Sequence, residues 1–172
     1  MKTLILGGAR SGKSALAEQL AVNCGDDVVY VATAQPLDAA MAERIAHHRA
    51  QRPRYWHTIE EPMALAEALR EHARPGRCIL VDCLTLWLSN LIGSDDMARF
   101  ERERDGFLAC LADIPGELLL VSNEVGLGIV PLGELSRRFV DEAGRLHQRL
   151  GQTCDRVVFV AAGLPMTLKG SL

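Results

Sequence analysis

The chain has 172 residues, of which 48% are hydrophobic and 24% charged, with a net charge of −3 and a pI near 5.9. Such values predict a single folded domain over residues 1–172, and the acidic balance argues against a nucleic-acid partner or an anionic membrane surface. No apolar run is long enough to span a membrane, and the first residues lack the pattern of a signal peptide. Five cysteines without C-x-x-C spacing favour reduced thiols and hence the cytoplasm.

The strongest motif follows the first apolar run, residues 3–6, and precedes a helix-forming stretch at residues 15–21. It matches the phosphate-binding pattern G-x-x-x-x-G-K-S/T in the order strand, loop, helix. Its residues are Gly7, Gly8, Ala9, Arg10, Ser11, Gly12, Lys13 and Ser14. Glycines let backbone N–H groups approach phosphate oxygens, and the helix N-terminus adds partial positive charge. The motif predicts a nucleoside triphosphate site, with Lys13 on the β- and γ-phosphates and Ser14 on Mg²⁺; the alternative is a glycine-rich turn that binds nothing.

The second predicted strand, residues 28–32, is a continuous β-branched run typical of a strand buried on both faces. It ends at Thr33 and Gln35, on the side where the ends of parallel strands form a ligand crevice. These two residues are therefore candidate nucleotide contacts. The equal alternative is that Thr33 ends a strand and Gln35 is an exposed loop residue.

Residues 39–51 are predicted to form a helix that starts after Asp38 and stops before Pro53. Its two adjacent histidines differ in their surroundings. His48 shares a face with apolar residues, whereas His47 lies on a more polar face and is freer to meet a ligand. The alternative for both is a solvated surface histidine.

A strand at residues 78–82 ends in Asp82, the place where a P-loop enzyme holds the Mg²⁺ shell, although many strands end in Asp for other reasons. Another buried strand, residues 117–123, is followed by Glu124 and a loop with two glycines. Glu124 is a candidate acid/base or metal-binding group, with a capping or surface glutamate as the alternative.

The remaining pattern indicates alternating strands and helices. A strand is possible at residues 54–59, helices are predicted at 63–73, 84–92, 97–113 and 133–150, and a last strand at 157–161 is followed by a short tail from residue 163. The alternation predicts an α/β fold with a mostly parallel sheet covered by helices on both faces. Strand ends at Gly7, Thr33, Asp82 and Glu124 then lie at one edge of that sheet.

Four stretches together resemble one family. They are the loop at residues 7–14, residues 30–34, the element R-I-A-H-H-R at residues 44–49 followed by Arg52-Pro53, and N-E-V-G-L-G-I-V-P at residues 123–131. The chain resembles the bifunctional adenosylcobinamide kinase / adenosylcobinamide-phosphate guanylyltransferases over nearly its whole length. This resemblance implies a RecA-like P-loop NTPase fold and a homotrimer.

The resemblance also implies two reactions. A nucleoside triphosphate, ATP or GTP, phosphorylates adenosylcobinamide; GTP then gives GMP to His47, and the GMP passes to adenosylcobinamide phosphate to form adenosyl-GDP-cobinamide. The resemblance implies nucleotide contacts for the loop and for a further set of residues. One member of this set, Asp82, stands where some relatives have Glu. This set is Thr33, Ala34, Gln35, His48, Arg49, Ala50, Gln51, Glu60 and Asp82.

Two other readings of the sequence remain. A single-function P-loop kinase predicts no covalent nucleotide adduct on His47. A GTP-binding switch predicts a partner surface, and we expect none, since no exposed apolar stripe is evident in the sequence.

Overall fold

A computed structural model describes residues 1–36, 39, 42–43, 46, 49–50 and 52–171. The strands are β1 (Lys2–Gly7), β2 (Val28–Ala32), β3 (His57–Glu60), β4 (Cys78–Asp82), β5 (Glu117–Asn123), β6 (Arg156–Ala161) and β7 (Leu164–Lys169). The helices with defined bounds are α1 (Lys13–Cys24), α2 (Leu65–His72), α3 (Leu84–Gly93), α4 (Met97–Cys110) and α5 (Glu134–Thr153). Within the predicted helix at residues 39–51, every residue that the structure describes is helical.

All seven strands form one sheet in the order β3-β2-β4-β5-β1-β6-β7. The strands from β1 to β6 pair in parallel, and β7 pairs antiparallel with β6. The apolar runs of β1, β2, β4 and β5 are almost entirely buried, as expected for strands covered on both faces. The predicted mostly parallel sheet is confirmed.

Helices cover both faces of this sheet, and each face has its own apolar core. On one face α1 packs through Ala17 and Ala21 against strand residues such as Ile5 and Leu80. On the other face α2, α3, α4 and α5 form a larger core, which includes Trp87, Phe107, Leu146 and Leu150. The ring of Trp87 meets Phe107 edge-on, with centroids 5.1 Å apart. The sheet thus separates two cores and fixes the strand ends between them.

Two predicted elements differ from the structure. The possible strand at residues 54–59 begins later, at His57, and includes Glu60. The prediction of a tail after residue 163 is wrong, because Leu164–Lys169 forms strand β7. An edge strand tolerates Pro165, whose missing N–H does not interrupt pairing on a side without a neighbour. Within the described residues, no helix has the length and apolar character needed to cross a membrane.

Candidate functional site

The carboxyl ends of the parallel strands bring the sequence-predicted residues to one edge. Gly7 is in register with Asn123, and Ala32 is in register with both Asp82 and Glu60. Strands β1 and β4 are separated only by β5, so the phosphate loop and Asp82 lie about 10 Å apart across the edge, at 4.7–4.9 Å per strand step. The predicted gathering of strand ends is confirmed.

The loop after β1 has the backbone conformation of a phosphate cradle. Arg10 and Gly12 have positive φ angles of 56° and 98°, and Gly12 is the N-cap of α1. A Cβ on Gly7 would lie 2.5 Å from both Ser11 Oγ and the Val160 carbonyl oxygen, so only glycine fits there. The Ser11 Oγ is buried and has no hydrogen-bond partner among the described residues. The loop therefore leaves polar groups available at the N-terminus of α1, a site that favours anions.

Lys13 is held inside this loop. Its side chain is buried, with 8% exposure, and its Nζ donates a hydrogen bond to the Gly8 carbonyl oxygen at 3.1 Å. This ammonium group adds positive charge beside the N-terminus of α1, which favours a negatively charged ligand in the loop. Ser14, the next residue, is half-buried in the first turn of α1.

The turn between β6 and β7 packs on the same loop. The Gly163 N–H donates to the Ser11 carbonyl oxygen at 2.8 Å. A Cβ on Gly12 would lie 3.2 Å from the Gly163 Cα. The β6–β7 hairpin thus supports the phosphate loop, a role that could not be predicted because residues 163–169 resemble a tail in the sequence.

Asp82 lies in a small charged cluster on the α1 face of the sheet. Burial, and secondarily the neighbouring Asp82 carboxylate, hold the pKa of Tyr30 well above its usual value. Burial and then the Asp82 charge raise the pKa of Glu18, while Arg52 opposes this. The Arg52 guanidinium lies 3.3 Å from the centroid of the Tyr30 ring. The cluster therefore contains two neighbouring carboxylates and one nearby cation.

Thr33 is buried rather than open to the crevice. Its hydroxyl donates to the Cys83 carbonyl oxygen at 2.7 Å and accepts from the Cys83 N–H at 2.9 Å. Its own carbonyl oxygen accepts a hydrogen bond from Asn90 at 2.9 Å. The polar groups of Thr33 thus have partners within the protein, whereas Ala34 and Gln35 are half-buried at the strand end.

Glu60 and Arg49 form an exposed ion pair at the end of β3, far from the phosphate loop along the row of strand ends. Strand β3, which ends at Glu60, is four steps from β1 in the sheet, or about 19 Å at the usual strand spacing. A single nucleotide would have to lie across the strand ends to contact both Glu60 and the phosphate loop. Ala50 is helical and exposed. His47, His48 and Gln51 lie outside the described residues.

Glu124 joins a buried polar chain on the opposite face from α1. The Glu124 N–H donates to the Gly7 carbonyl oxygen at 3.0 Å, which places this residue beside the phosphate loop. Its Oε2 lies 3.5 Å from His147 Nδ1, and His147 Nε2 lies 2.8 Å from Ser122 Oγ. The Ser122 hydroxyl lies 3.3 Å from that of Thr85. Burial lowers the pKa of His147, although the Glu124 carboxylate opposes this.

Sequence reasoning missed His147, Ser122 and Thr85, since they come from α5, β5 and the start of α3. The one signal for His147 is its position within the apolar stripe of α5, between Ala143 and Leu150. A polar residue at a buried helical position needs a hydrogen-bond partner. Such spacing marks burial but does not identify the partner.

The loop after Glu124 corrects another expectation. Leu127, Ile129 and Leu132 are 82%, 98% and 97% exposed, and Leu164, Met166 and Leu168 of β7 are also exposed. The expectation that the chain exposes no apolar stripe is therefore wrong. The loop pattern G-L-G-I-V-P does not show periodicity, so its exposure was not evident from sequence.

Solved structures support the class of protein that the fold and site define. The chain is similar to the flagellar accessory protein FlaH of Methanocaldococcus jannaschii, with a TM-score of 0.51 and 15% identity over 99% of this chain and 78% of that one. It is also similar to the RadB recombinase, with a TM-score of 0.51 and 16% identity over 92% of this chain and 73% of that one. These likenesses concern the fold alone: a RecA-like P-loop NTPase fold.

The sequence comparisons are more specific. Residues 3–168 match the family model described as cobinamide kinase / cobinamide phosphate guanyltransferase. The chain is 62% identical to the bifunctional adenosylcobalamin biosynthesis protein CobP of Pseudomonas aeruginosa, over 99% of this chain and 98% of the relative. It is 38% identical to CobU of Escherichia coli, over 98% of this chain and 100% of the relative. The chain belongs to the cobinamide kinase / cobinamide phosphate guanyltransferase family and is a transferase of cobalamin biosynthesis.

Proposed function

We propose that this chain carries out two transfers on one site. A nucleoside triphosphate, ATP or GTP, phosphorylates adenosylcobinamide, and GTP then gives its GMP through His47 to adenosylcobinamide phosphate. The observation that carries the proposal is the intact phosphate loop, with Lys13 buried inside it and hydrogen-bonded to Gly8. The family membership supplies the acceptor class.

The loop residues have defined roles in this proposal. Backbone N–H groups of residues 7–14 bind the phosphates, and Lys13 neutralises charge that develops on the transferred group. In the nucleotidyl transfer the same groups stabilise the departing pyrophosphate. Because the protein mainly positions the reacting groups and neutralises their charge, one loop serves both reactions.

The residues around Asp82 fit a Mg²⁺ ion. Hard oxygen ligands suit this ion, and Ser14 and Asp82 would hold it between the loop and β4. Glu18 Oε1 is buried without a hydrogen-bond partner among the described residues, and burial, followed by the nearby Asp82 charge, raises the pKa of Glu18. A divalent cation relieves such carboxylate repulsion. Bound there, it would neutralise phosphate charge during transfer.

His47 is the proposed nucleophile of the second reaction. A neutral imidazole nitrogen attacks the α-phosphorus, and an unperturbed histidine with a pKa of about 6.5 is mostly neutral at the pH of a cell. A covalent intermediate lets pyrophosphate leave before the bulky corrinoid arrives. Support comes from the residue pattern and the family membership, as His47 lies outside the described residues.

Nucleotide labelling tests this proposal. The protein is incubated with Mg²⁺ and GTP labelled on the α-phosphate, denatured, and assayed for label stable to base and released by acid. We expect label on the wild type and none on His47→Ala. The control is His57→Ala, which should be labelled as the wild type is, because His57 is exposed at the start of β3, away from the strand ends. Absence of label from wild-type protein that binds GTP would indicate a single-function kinase or a nucleotide-binding switch.

Assembly and location are further parts of the proposal. We infer a homotrimer, for which the exposed apolar side chains of Leu127–Leu132 and of β7 offer contact surface. Light scattering should give three times the 18.8 kDa chain mass, whereas the mass of a monomer would contradict the trimer.

The cytoplasm is the proposed compartment, as all five cysteines are free thiols and four are buried.

A further inference from the structure

We propose that His147 is a positioning residue that holds the Glu124 carboxylate as the proton acceptor for the hydroxyl being phosphorylated. The Glu124 carboxylate at Nδ1 and the Ser122 hydroxyl at Nε2 together favour the tautomer of His147 that this requires. The inference deepens the proposed function and rests on its phosphoryl-transfer step. It is carried by four side chains that converge beside the phosphate loop from β5, α3, α5 and the loop after β5.

The chain of hydrogen bonds has a fixed starting direction. The backbone N–H of Asn123 can only donate, and it donates to Thr85 Oγ1 at 2.6 Å. The Thr85 hydroxyl lies 3.3 Å from Ser122 Oγ, and either oxygen can be the donor. Ser122 Oγ lies 2.8 Å from His147 Nε2 and can donate to this nitrogen or accept from it. Because a hydroxyl oxygen can accept two hydrogen bonds, the backbone donor does not decide the direction at His147, and the groups around the imidazole do.

The Glu124 carboxylate determines where a neutral His147 carries its hydrogen. Nδ1 faces Glu124 Oε2 at 3.5 Å, within ion-pair distance but outside hydrogen-bond geometry. A hydrogen on Nδ1 is attracted by this carboxylate and leaves Nε2 to accept from Ser122. The other tautomer would place the Nδ1 lone pair against a carboxylate. Burial lowers the pKa of His147, which favours this neutral form.

The difference in exposure between His147 and Glu124 separates their roles. His147 and Ser122 are buried, with 9% and 2% exposure, and do not reach a substrate. The Glu124 side chain is 22% exposed. Two hydrogen bonds anchor this residue. Its backbone N–H donates to the Gly7 carbonyl oxygen, and its side-chain Oε1 accepts from the Gly126 N–H at 2.5 Å. Glu124 therefore presents a fixed, accessible carboxylate beside the phosphate loop, and His147 acts only through it.

The step balances without another reactant. The acceptor hydroxyl oxygen forms a bond to the γ-phosphorus as the bond from that phosphorus to the β–γ bridging oxygen breaks. The nucleoside diphosphate leaves with the electron pair, and the hydroxyl proton passes to Glu124 and then to solvent. A positioned base of this kind contributes about 10²- to 10⁴-fold in rate.

A matched pair of substitutions separates positioning from packing. In His147→Asn the amide N–H lies near the place of Nδ1 and presents its hydrogen to Glu124, as Nδ1–H does in the wild type. In His147→Gln the longer amide reaches the Nε2 position at Ser122 but offers no donor at the Nδ1 position. Both variants keep a polar amide in the buried site, so their stabilities should be similar.

Steady-state phosphorylation of adenosylcobinamide by GTP is measured first on the wild type. We expect Glu124→Gln to lower kcat by about 10²-fold or more, His147→Gln to lower it by about 10²-fold, and His147→Asn to remain within about threefold. Nucleotide KM should change little in all three. Equal kcat loss in His147→Asn and His147→Gln, tracking thermal stability, would overturn the inference, as would full activity of Glu124→Gln. Wild type without turnover would count against the proposed function instead.

A spectroscopic measurement does not depend on turnover. The ¹⁵N spectrum of histidine-labelled wild-type protein at neutral pH, assigned by the signal lost in His147→Gln or His147→Asn, should show His147 Nδ1 bearing hydrogen and Nε2 without it. Hydrogen on Nε2, or on both nitrogens, would overturn the inference. This readout needs neither nucleotide nor corrinoid, and one folded variant of the two is enough for the assignment.

Discussion

At the scale of single residues, Gly12 is fixed by both its backbone and its neighbours. Its φ angle of 98° is one that side chains rarely adopt, and an added Cβ would lie 3.2 Å from the Gly163 Cα. Gly8, in the same loop, has no positive φ angle, and a Cβ there would meet nothing within 4 Å. The two glycines therefore form a matched pair.

We expect Gly12→Ala to lower the free energy of unfolding by about 1–3 kcal/mol, the usual cost of a strained backbone residue. Gly8→Ala should stay within about 0.5 kcal/mol of the wild type, as for substitutions that disturb no contact. Urea titrations of both variants measure the difference. Equal stability of the two variants would contradict the close packing of Gly163 on the loop.

The cysteines give a prediction about chemical reactivity and pH. Burial raises the pKa of the Cys83 and Cys154 thiols to about 11, and raises that of Cys78 and Cys110 as well. A raised pKa leaves the thiol protonated at pH 8, and thiolate appears only as the pH approaches the raised value. Exposed Cys24 is the remaining cysteine.

Alkylation with iodoacetamide at pH 8 should therefore modify the native protein once, and five times after unfolding. Mass spectrometry counts the added groups. A Cys24→Ser variant should remain unmodified in its native form. Rapid modification of that variant at pH 8 would show that the buried thiols are accessible.

The residues of the site differ in how far sequence predicts them. The phosphate loop is a local motif of eight residues, so its conformation could be predicted before the fold was known. Asp82 required only the assumption of a parallel sheet. The contact of His147 with Ser122 joins residues 25 positions apart, and Ser122 meets Thr85 across 37 positions. Pairings of this kind depend on how α3 and α5 pack, which no local pattern specifies.

At the scale of elements, the β6–β7 hairpin contributes to the site as well as to the sheet. Its turn residue Gly163 has a φ angle of 78° and donates its N–H to the Ser11 carbonyl oxygen. Proline at this position would remove the donor and demand a φ near −65°. Alanine would keep the donor and, with nothing within 4 Å of its Cβ, introduce only backbone strain.

We expect Gly163→Pro to weaken nucleotide binding, because the loop residue Ser11 loses its partner on the hairpin. Gly163→Ala should bind nucleotide almost as the wild type does, at a cost in stability of about 1–2 kcal/mol. Calorimetric titration with GTP and Mg²⁺ compares them. Unchanged affinity in a folded Gly163→Pro variant would show that the hairpin does not support the loop.

The hairpin also explains which elements sequence predicts. Buried strands such as β2 and β5 are continuous apolar runs, and their predicted bounds match the structure. Strand β7, by contrast, is exposed along its whole length and contains Pro165. Burial produces the pattern that identifies a strand, so an exposed edge strand lacks it. Its pairing with β6 comes from the turn at Ala162 and Gly163, both with positive φ.

At the scale of the whole molecule, the central sheet belongs to both apolar cores. Leu4 of β1 lies in the larger core, and Ile5 lies in the smaller one. The same alternation holds for Ile79 and Leu80 in β4. Neither core can lose its sheet face without exposing the other, so we expect the domain to unfold in a single transition.

Nucleotide binding should raise the midpoint temperature of that single transition. A ligand at 100 times its Kd stabilises the folded state by about 2.7 kcal/mol. For a chain of this size, the shift corresponds to about 5–10 °C in Tm, at 2–4 °C per kcal/mol. Thermal unfolding with GTP and Mg²⁺ measures it, and removal of the metal with EDTA should lessen it.

Asp82→Asn provides the matched variant for this shift. Asparagine keeps a polar oxygen beside Tyr30, and it removes the charge that adds to burial in raising the pKa of Glu18. Without ligand, the variant should therefore be at least as stable as the wild type. With GTP it should show the same Tm whether or not Mg²⁺ is present, because the proposed metal ligand is lost. A full Mg²⁺-dependent shift in Asp82→Asn would place the metal elsewhere, and two separate transitions would contradict the shared sheet.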